Sequence, residues 1–187
     1  MRAFIGVEIQ AEFKEKIKQL QEKIAESGAD IKFVEPENLH FCLKFLGEVE
    51  ESKINKIKEV LEKVCAQFEP FEVEISGLGC FPSRNYINAF WLGIKSPQAI
   101  IALAELIDSS LAELGFEKEK RPFTPHLTLG RVKTGKNKLE LVDMIRQLEK
   151  VEIGKMQVKE VKLFESVLKL KGPVYNEIFY INLLKKF

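Results

Sequence analysis

The sequence predicts a mixed helix-and-strand fold made of two similar halves, and three observations carry that prediction. The hydrophobic pattern reads strand, helix, strand, helix, strand, and then runs through the same order again. The only two histidines, His40 and His126, each open an apolar alternating run, with Cys42 or Thr128 two residues later. The 86 residues that separate the histidines also relate the elements around them. A fixed offset through consecutive elements is the mark of an internal duplication.

Taken in order, residues 3–9 form a short apolar run with β-branched members, a buried strand. Residues 11–27 place Phe13, Ile17, Leu20 and Ile24 at three- and four-residue steps, and Gly28 stops that amphipathic helix. After the turn signal Glu35-Pro36-Glu37-Asn38 comes the first motif strand. There Leu39, Phe41, Leu43 and Phe45 share one parity and go to the core, while His40, Cys42 and Lys44 share the other and face outward. Residues 52–66 form a second helix with Ser52 as N-cap, and residues 71–81 a strand interrupted by Gly77 and Gly79. A loop at 82–85 closes this half.

The order then restarts with a strand at 88–94, a helix at 97–114, the second motif strand Pro125-His126-Leu127-Thr128-Leu129-Gly130-Arg131, a helix at 138–149 and a strand at 156–166. An offset of 86 carries Ala3-Phe4 onto Ala89-Phe90, and one of 87 carries Leu61 and Val64 onto Leu148 and Val151. The expectation is a single bilobal domain over 1–187, with halves near 1–85 and 86–171 and a final strand at 174–184 completing one lobe. Gly172-Pro173 marks the turn into that strand.

Composition narrows the chemistry. Lys and Arg total 29 against 28 Asp and Glu, so contact with a polyanion requires a local basic patch instead of a bulk field. Three cysteines without C-x-x-C spacing argue against a disulfide framework and a Cys-rich zinc site, and two histidines argue against a multi-His metal centre. A carboxylate-only site stays open. No apolar run approaches the roughly 20 residues of a membrane span, and Glu8 interrupts any signal-peptide pattern. A cytoplasmic monomer that makes no membrane contact is expected.

If the motif strands face each other, His40 and His126 flank one cleft. An imidazole with an ordinary pKa of about 6.5 can hold or lack its proton near neutrality, so the pair can act as general acid and general base. Displacement at phosphorus suits them: one takes a proton from the attacking oxygen and the other gives one to the leaving oxygen. That chemistry calls for no metal and no cofactor. Thr128 can donate a hydroxyl to a non-bridging phosphate oxygen, and Cys42 can do so more weakly.

These residues resemble the paired H-x-T-x motifs of the two-histidine phosphoesterases. The longer strings Lys44-Phe45-Leu46-Gly47 and Thr124 to Arg131 are similar to the RNA 2',3'-cyclic phosphodiesterases, also called 2'-5' RNA ligases. So are Met1-Arg2-Ala3-Phe4-Ile5, Phe81-Pro82 with Trp91, and Gly172-Pro173-Val174-Tyr175. The resemblance implies a bilobal α+β fold, here of duplicated strand–helix–strand–helix–strand lobes, with antiparallel sheets lining a central groove. It implies metal-independent opening of a 2',3'-cyclic phosphate at an RNA end, or in a small cyclic nucleotide, to a 2'-phosphate. His126 would be the base that activates water and His40 the acid for the departing 3' oxygen. An RNA-end binding module with little turnover, and an ATP-independent 2'-5' RNA ligase, are the alternatives. The chain departs from the pattern at Cys42, where the family has threonine.

Other residues carry further expectations. Arg131 shares the parity of Leu127 and Leu129, so it needs a bulge at Gly130 to join the histidine face, where the resemblance makes it a phosphate-binding arginine. Lys44 is read equally as a solvated rim lysine or a phosphate contact. Phe81, Tyr86, Phe123 and Tyr175 are candidate base-stacking platforms. Lys169 and Lys171 are read as an exposed strand end.

Overall fold

A computed structural model describes residues 1–184 of the chain. Its elements in order are β1 (Arg2–Glu8), α1 (Ala11–Ala25), β2 (Ile31–Phe33), β3 (His40–Glu48), α2 (Ile54–Cys65), β4 (Phe71–Ser83), β5 (Tyr86–Lys95), α3 (Gln98–Ala112), β6 (Leu127–Val132), α4 (Lys138–Gln147), β7 (Glu152–Val158), β8 (Glu160–Lys169) and β9 (Gly172–Asn182). Two antiparallel sheets hold the strands, one in the order β3-β1-β8-β9 and the other β2-β6-β5-β4-β7. The α+β class with antiparallel sheets is the one expected.

The sheets interleave the two sequence halves. β4, from the first half, pairs with β5, and β8, from the second, pairs with β1. Each sheet thus takes its third strand from the other copy. The helices exchange too, with α2 and α3 beside the first sheet and α1 and α4 beside the second. Residues 1–85 and 86–171 are therefore not the units in space: the tight turn at Arg84-Asn85 keeps β4 beside β5, and β8 reaches β1 from the far end of the chain. The motif strands β3 and β6 pack against each other where the sheets meet.

The apolar parity closes the core: Leu39, Phe41 and Leu43 are buried in one half, and Leu127 and Leu129 in the other. Burial of one face fixes register, since a slip of one residue would expose the whole set. The residues expected as one strand over 156–166 instead divide at Lys159 between two sheets. The buried set there switches from Met156 and Val158 to Val161 and Leu163, a change of parity. Ser52 does not cap α2; it lies inside the 3-10 turn Glu51–Lys53, and no side chain caps the helix.

Candidate active site

Each motif strand carries one extra residue at the same place. Along β1 and β3 the register steps from Ile5 opposite Lys44 to Gly6 opposite Cys42, leaving Leu43 unmatched. Along β5 and β6 it steps from Phe90 opposite Gly130 to Trp91 opposite Thr128, leaving Leu129 unmatched. Cys42 and Thr128 are therefore equivalent in space, as their spacing predicts. The opposing residues are Gly6 and Trp91, so the first strands correspond one residue short of the motif offset. Phe4 accordingly stacks near His40, while its sequence counterpart Phe90 lies in the core.

The two bulges settle where Lys44 and Arg131 point. Beyond Leu43 the alternation inverts: Lys44 is 3 % exposed and Phe45 46 %. Lys44 is thus neither a rim lysine nor a groove residue. Its Nζ donates to Asp108 Oδ1 at 2.6 Å and to the Glu117 carbonyl at 2.7 Å, with Glu119 at 3.8 Å. Beyond Leu129 the same inversion brings Arg131 to the groove with His126 and Thr128. The extra residue is Leu129 and not the expected Gly130, whose place a side chain could not share with Phe90.

Both histidines are held alike. His40 Nδ1 lies 2.6 Å from the carbonyl of Asn38, and His126 Nδ1 lies 2.8 Å from that of Thr124. A carbonyl only accepts, so each Nδ1 carries hydrogen and each Nε2 is left as the nitrogen that gains or loses a proton. Phe4, Phe164 and Tyr175 surround His40, with ring centroids 4.6, 6.3 and 5.1 Å away. Phe81 and Trp91 hold His126 edge-on at 5.3 and 6.4 Å.

The two imidazoles, Cys42, Thr128, Arg131 and Tyr175 line one groove of about 1540 Å³. Burial pushes the His40 pKa down, against the Asn38 carbonyl, and the charge of His126 adds to the depression. The Cys42 thiol is pushed up to about 12, by burial first and then by Glu119. It remains S–H at neutral pH. Burial also raises the Tyr175 phenol, which keeps its proton for donation. Among the described residues, Arg131 has no ion-pair partner, and no three His, Cys, Asp or Glu side chains gather as a metal site. No helix among them is long and apolar enough to cross a membrane.

A family model described as the 2'-5' RNA ligase superfamily matches residues 7–168. This chain belongs to that superfamily. It is 40% identical over 178 residues to the RNA 2',3'-cyclic phosphodiesterase of Methanothermobacter thermautotrophicus, covering 95% of this chain and 96% of that one. Identity to the protein of the same name from Methanocaldococcus jannaschii is also 40%, over 95% of this chain and 98% of that one. Among solved structures, a protein of Thermus thermophilus matches with TM-score 0.83 and 26% identity over 98% of both chains. The apo form of E. coli LigT matches with TM-score 0.74 and 24% identity, again over 98% of both, a likeness of fold.

Within this superfamily member, two supports for the site went unread in the sequence. Gln21, buried on α1, donates Nε2 to the carbonyls of Val34 at 2.9 Å and Leu129 at 3.0 Å, holding the bulge that redirects Arg131. A glutamine on the apolar stripe between Ile17 and Ile24 is the signal that could have found it. Asn38 supports His40 through its carbonyl and donates its side-chain amide to the Pro173 carbonyl at 2.9 Å. Of the stacking candidates, Tyr175 lines the groove and Phe81 abuts His126, whereas Tyr86 lies under Lys138 and Phe123 packs against the core.

Proposed function

We propose that this protein opens the 2',3'-cyclic phosphate at an RNA end to a 2'-phosphate, with His40 and His126 as the acid–base pair. One observation carries the reading: two histidines at the entry to equivalent strands line one groove, each with Nδ1 tied to the carbonyl two residues earlier. The tie leaves two Nε2 atoms for the two proton transfers that displacement at phosphorus requires. Relatives named RNA 2',3'-cyclic phosphodiesterase, at 40% identity over nearly the whole chain, supply the substrate class.

In the reaction, water attacks phosphorus, and the bond from phosphorus to the 3' oxygen breaks. His126 takes the proton from water, and His40 gives its proton to the departing oxygen, the direction that the resemblance implies. Burial makes the His40 imidazolium sparse in the open groove. The anionic phosphate favours that imidazolium, so substrate binding loads the acid. Such an acid is a ready donor once loaded. Thr128 donates to a non-bridging oxygen, Arg131 offers its guanidinium, and Cys42 contributes a weak S–H.

The family's name supports a second reading of the same site. A ribose 5'-hydroxyl in place of water would be deprotonated and attack phosphorus, and departure of the 3' oxygen would leave a 2'-5' linkage without ATP. Incubating a 2',3'-cyclic-ended oligonucleotide with the protein in EDTA tests the proposal. A 2'-phosphate product is expected, and tight binding without turnover would leave only an RNA-end binding module. Adding a 5'-hydroxyl oligonucleotide separates the readings: a linked product at a rate above hydrolysis would make ligation the main activity.

A further inference from the structure

The groove runs on past the histidines to the turn between β8 and β9. Its volume, about 1540 Å³, exceeds the roughly 300–1,000 Å³ of an ordinary small-ligand site, so a single terminal nucleotide leaves part of it unfilled. The turn alternates apolar and basic residues, Leu168-Lys169-Leu170-Lys171, and all four line the groove. Leu168 is 84 % exposed and Leu170 fully so, an arrangement that water disfavours. Lys169 and Lys171 have no ion-pair partner among the described residues, although the chain's charges are nearly balanced overall.

The tip is also fastened across the groove. Lys32 Nζ, on β2 of the other sheet, donates to the Lys171 carbonyl at 3.2 Å, and Asn38 Nδ2 donates to the Pro173 carbonyl at 2.9 Å. Exposed side chains thus project from a braced frame, and Asn38, which also holds His40, sets the distance from that frame to the reacting phosphorus. The carboxylates at this end, Glu35 and Glu37, lie on the segment joining β2 to β3, with Glu35 at 4.0 Å from Lys32. A polyanion is therefore directed to the β8–β9 lip.

We infer that this lip is the seat of the single-stranded RNA nucleotides that precede the cyclic phosphate. Lys169 and Lys171 take their backbone phosphates, and Leu168 and Leu170 cover their bases. The inference rests on the RNA-end reading above and deepens it: the substrate is an oligonucleotide, and the terminal nucleotide alone forgoes these contacts. Phosphate contacts of this kind release counterions, which gives them a signature that a purely structural lysine lacks.

The test compares the wild type with Lys169→Gln/Lys171→Gln and with Leu168→Ser/Leu170→Ser. Binding of a 5'-labelled hexanucleotide ending in a 2'-phosphate is followed by anisotropy from low to moderate salt. Each lost contact to a single strand lowers the slope of log Kd against log salt by about 0.7, so the lysine pair is expected to lower it by about 1.4. The ratio of kcat/KM for a cyclic-ended hexanucleotide to that for a 2',3'-cyclic mononucleotide is expected to fall about tenfold in either variant. An unchanged slope together with an unchanged ratio would overturn the inference. So would a leucine variant that loses self-association while keeping the wild-type ratio, which would give the leucines to a protein contact. If the wild type turns over neither substrate, the hydrolase reading fails, and the salt slopes still decide whether the lip binds RNA.

Discussion

Exchanging the two unequal donors gives the sharpest prediction about how the groove holds phosphate. Cys42 and Thr128 occupy equivalent ladder positions, one opposite Gly6 and the other opposite Trp91, and both line the groove. A hydrogen bond to a charged group contributes about 1.5–3 kcal/mol, and each 1.36 kcal/mol is a factor of ten in rate. Thr128→Val should therefore lower kcat/KM about 10–100-fold, and Thr128→Cys, which keeps a weak donor, about 3–30-fold on the same scale. Cys42→Thr should raise kcat/KM by up to about tenfold, because the thiol, held protonated by a pKa of about 12, already gives part of the bond. The residue opposite Cys42 is Gly6, so no cross-strand side chain competes with the new hydroxyl. The assay is steady-state hydrolysis of a 2',3'-cyclic nucleotide, with thermal melts to confirm folding. A greater than tenfold loss in Cys42→Thr with the fold intact, or no loss in Thr128→Cys, would refute the reasoning.

The remaining predictions concern the supports of the site. Lys44→Met removes a cation from Asp108 and Glu119, whose side chains are 18% and 58% exposed, so the usual cost of breaking a buried pair, about 3–5 kcal/mol, falls to about 2–3. Thermal unfolding should drop by about 4–12 °C; a shift within 1 °C would place the pair outside the stability of the fold. Gly6→Ala puts a methyl 2.8 Å from the Phe41 carbonyl and 3.5 Å from His40 Cδ2. It should lower kcat more than it raises KM, and equal changes would separate Gly6 from the His40 ring. In a proton NMR titration, the imidazole resonance lost in His40→Gln should have its midpoint below 6.5 and move up when a nucleoside 2'-phosphate binds. Since unfolded His40 takes its proton more readily, the stability it contributes is complete above about pH 6.5 and declines as pH falls through its lowered pKa. A midpoint at or above 6.5 in the free protein would contradict burial as the dominant influence.

The sequence made the paired histidines legible because Leu39, Phe41 and Leu43 in one half, and Leu127 and Leu129 in the other, must share a buried face. That constraint leaves His40 with Cys42, and His126 with Thr128, on the opposite face. The matched motifs, 86 residues apart, also exposed the duplication, and the structure repeats that spacing in the bulges at Leu43 and Leu129. The bulges themselves left no turn residue to mark their sites, and each reverses parity downstream. Lys44 was misread for that reason, and Arg131 was anticipated only by allowing a bulge at Gly130. The placement of β8 beside β1 depends on pairing between distant segments, which local periodicity does not encode, and the turn at Arg84-Asn85, which reads as the end of one half, joins β4 to β5 in one sheet. β2 has three residues, too few to alternate, yet it supplies Lys32 to the groove.

The central claim is that His40 and His126 carry the proton transfers from either side of one phosphate. Single-turnover rates of His40→Ala and His126→Ala on a 2',3'-cyclic-ended oligonucleotide in EDTA test it most directly. The account predicts a loss of about 10²–10⁴-fold in each variant, with melting curves and oligonucleotide binding preserved. A rate within a few-fold of the wild type in either one would remove that histidine from the chemistry and contradict the account.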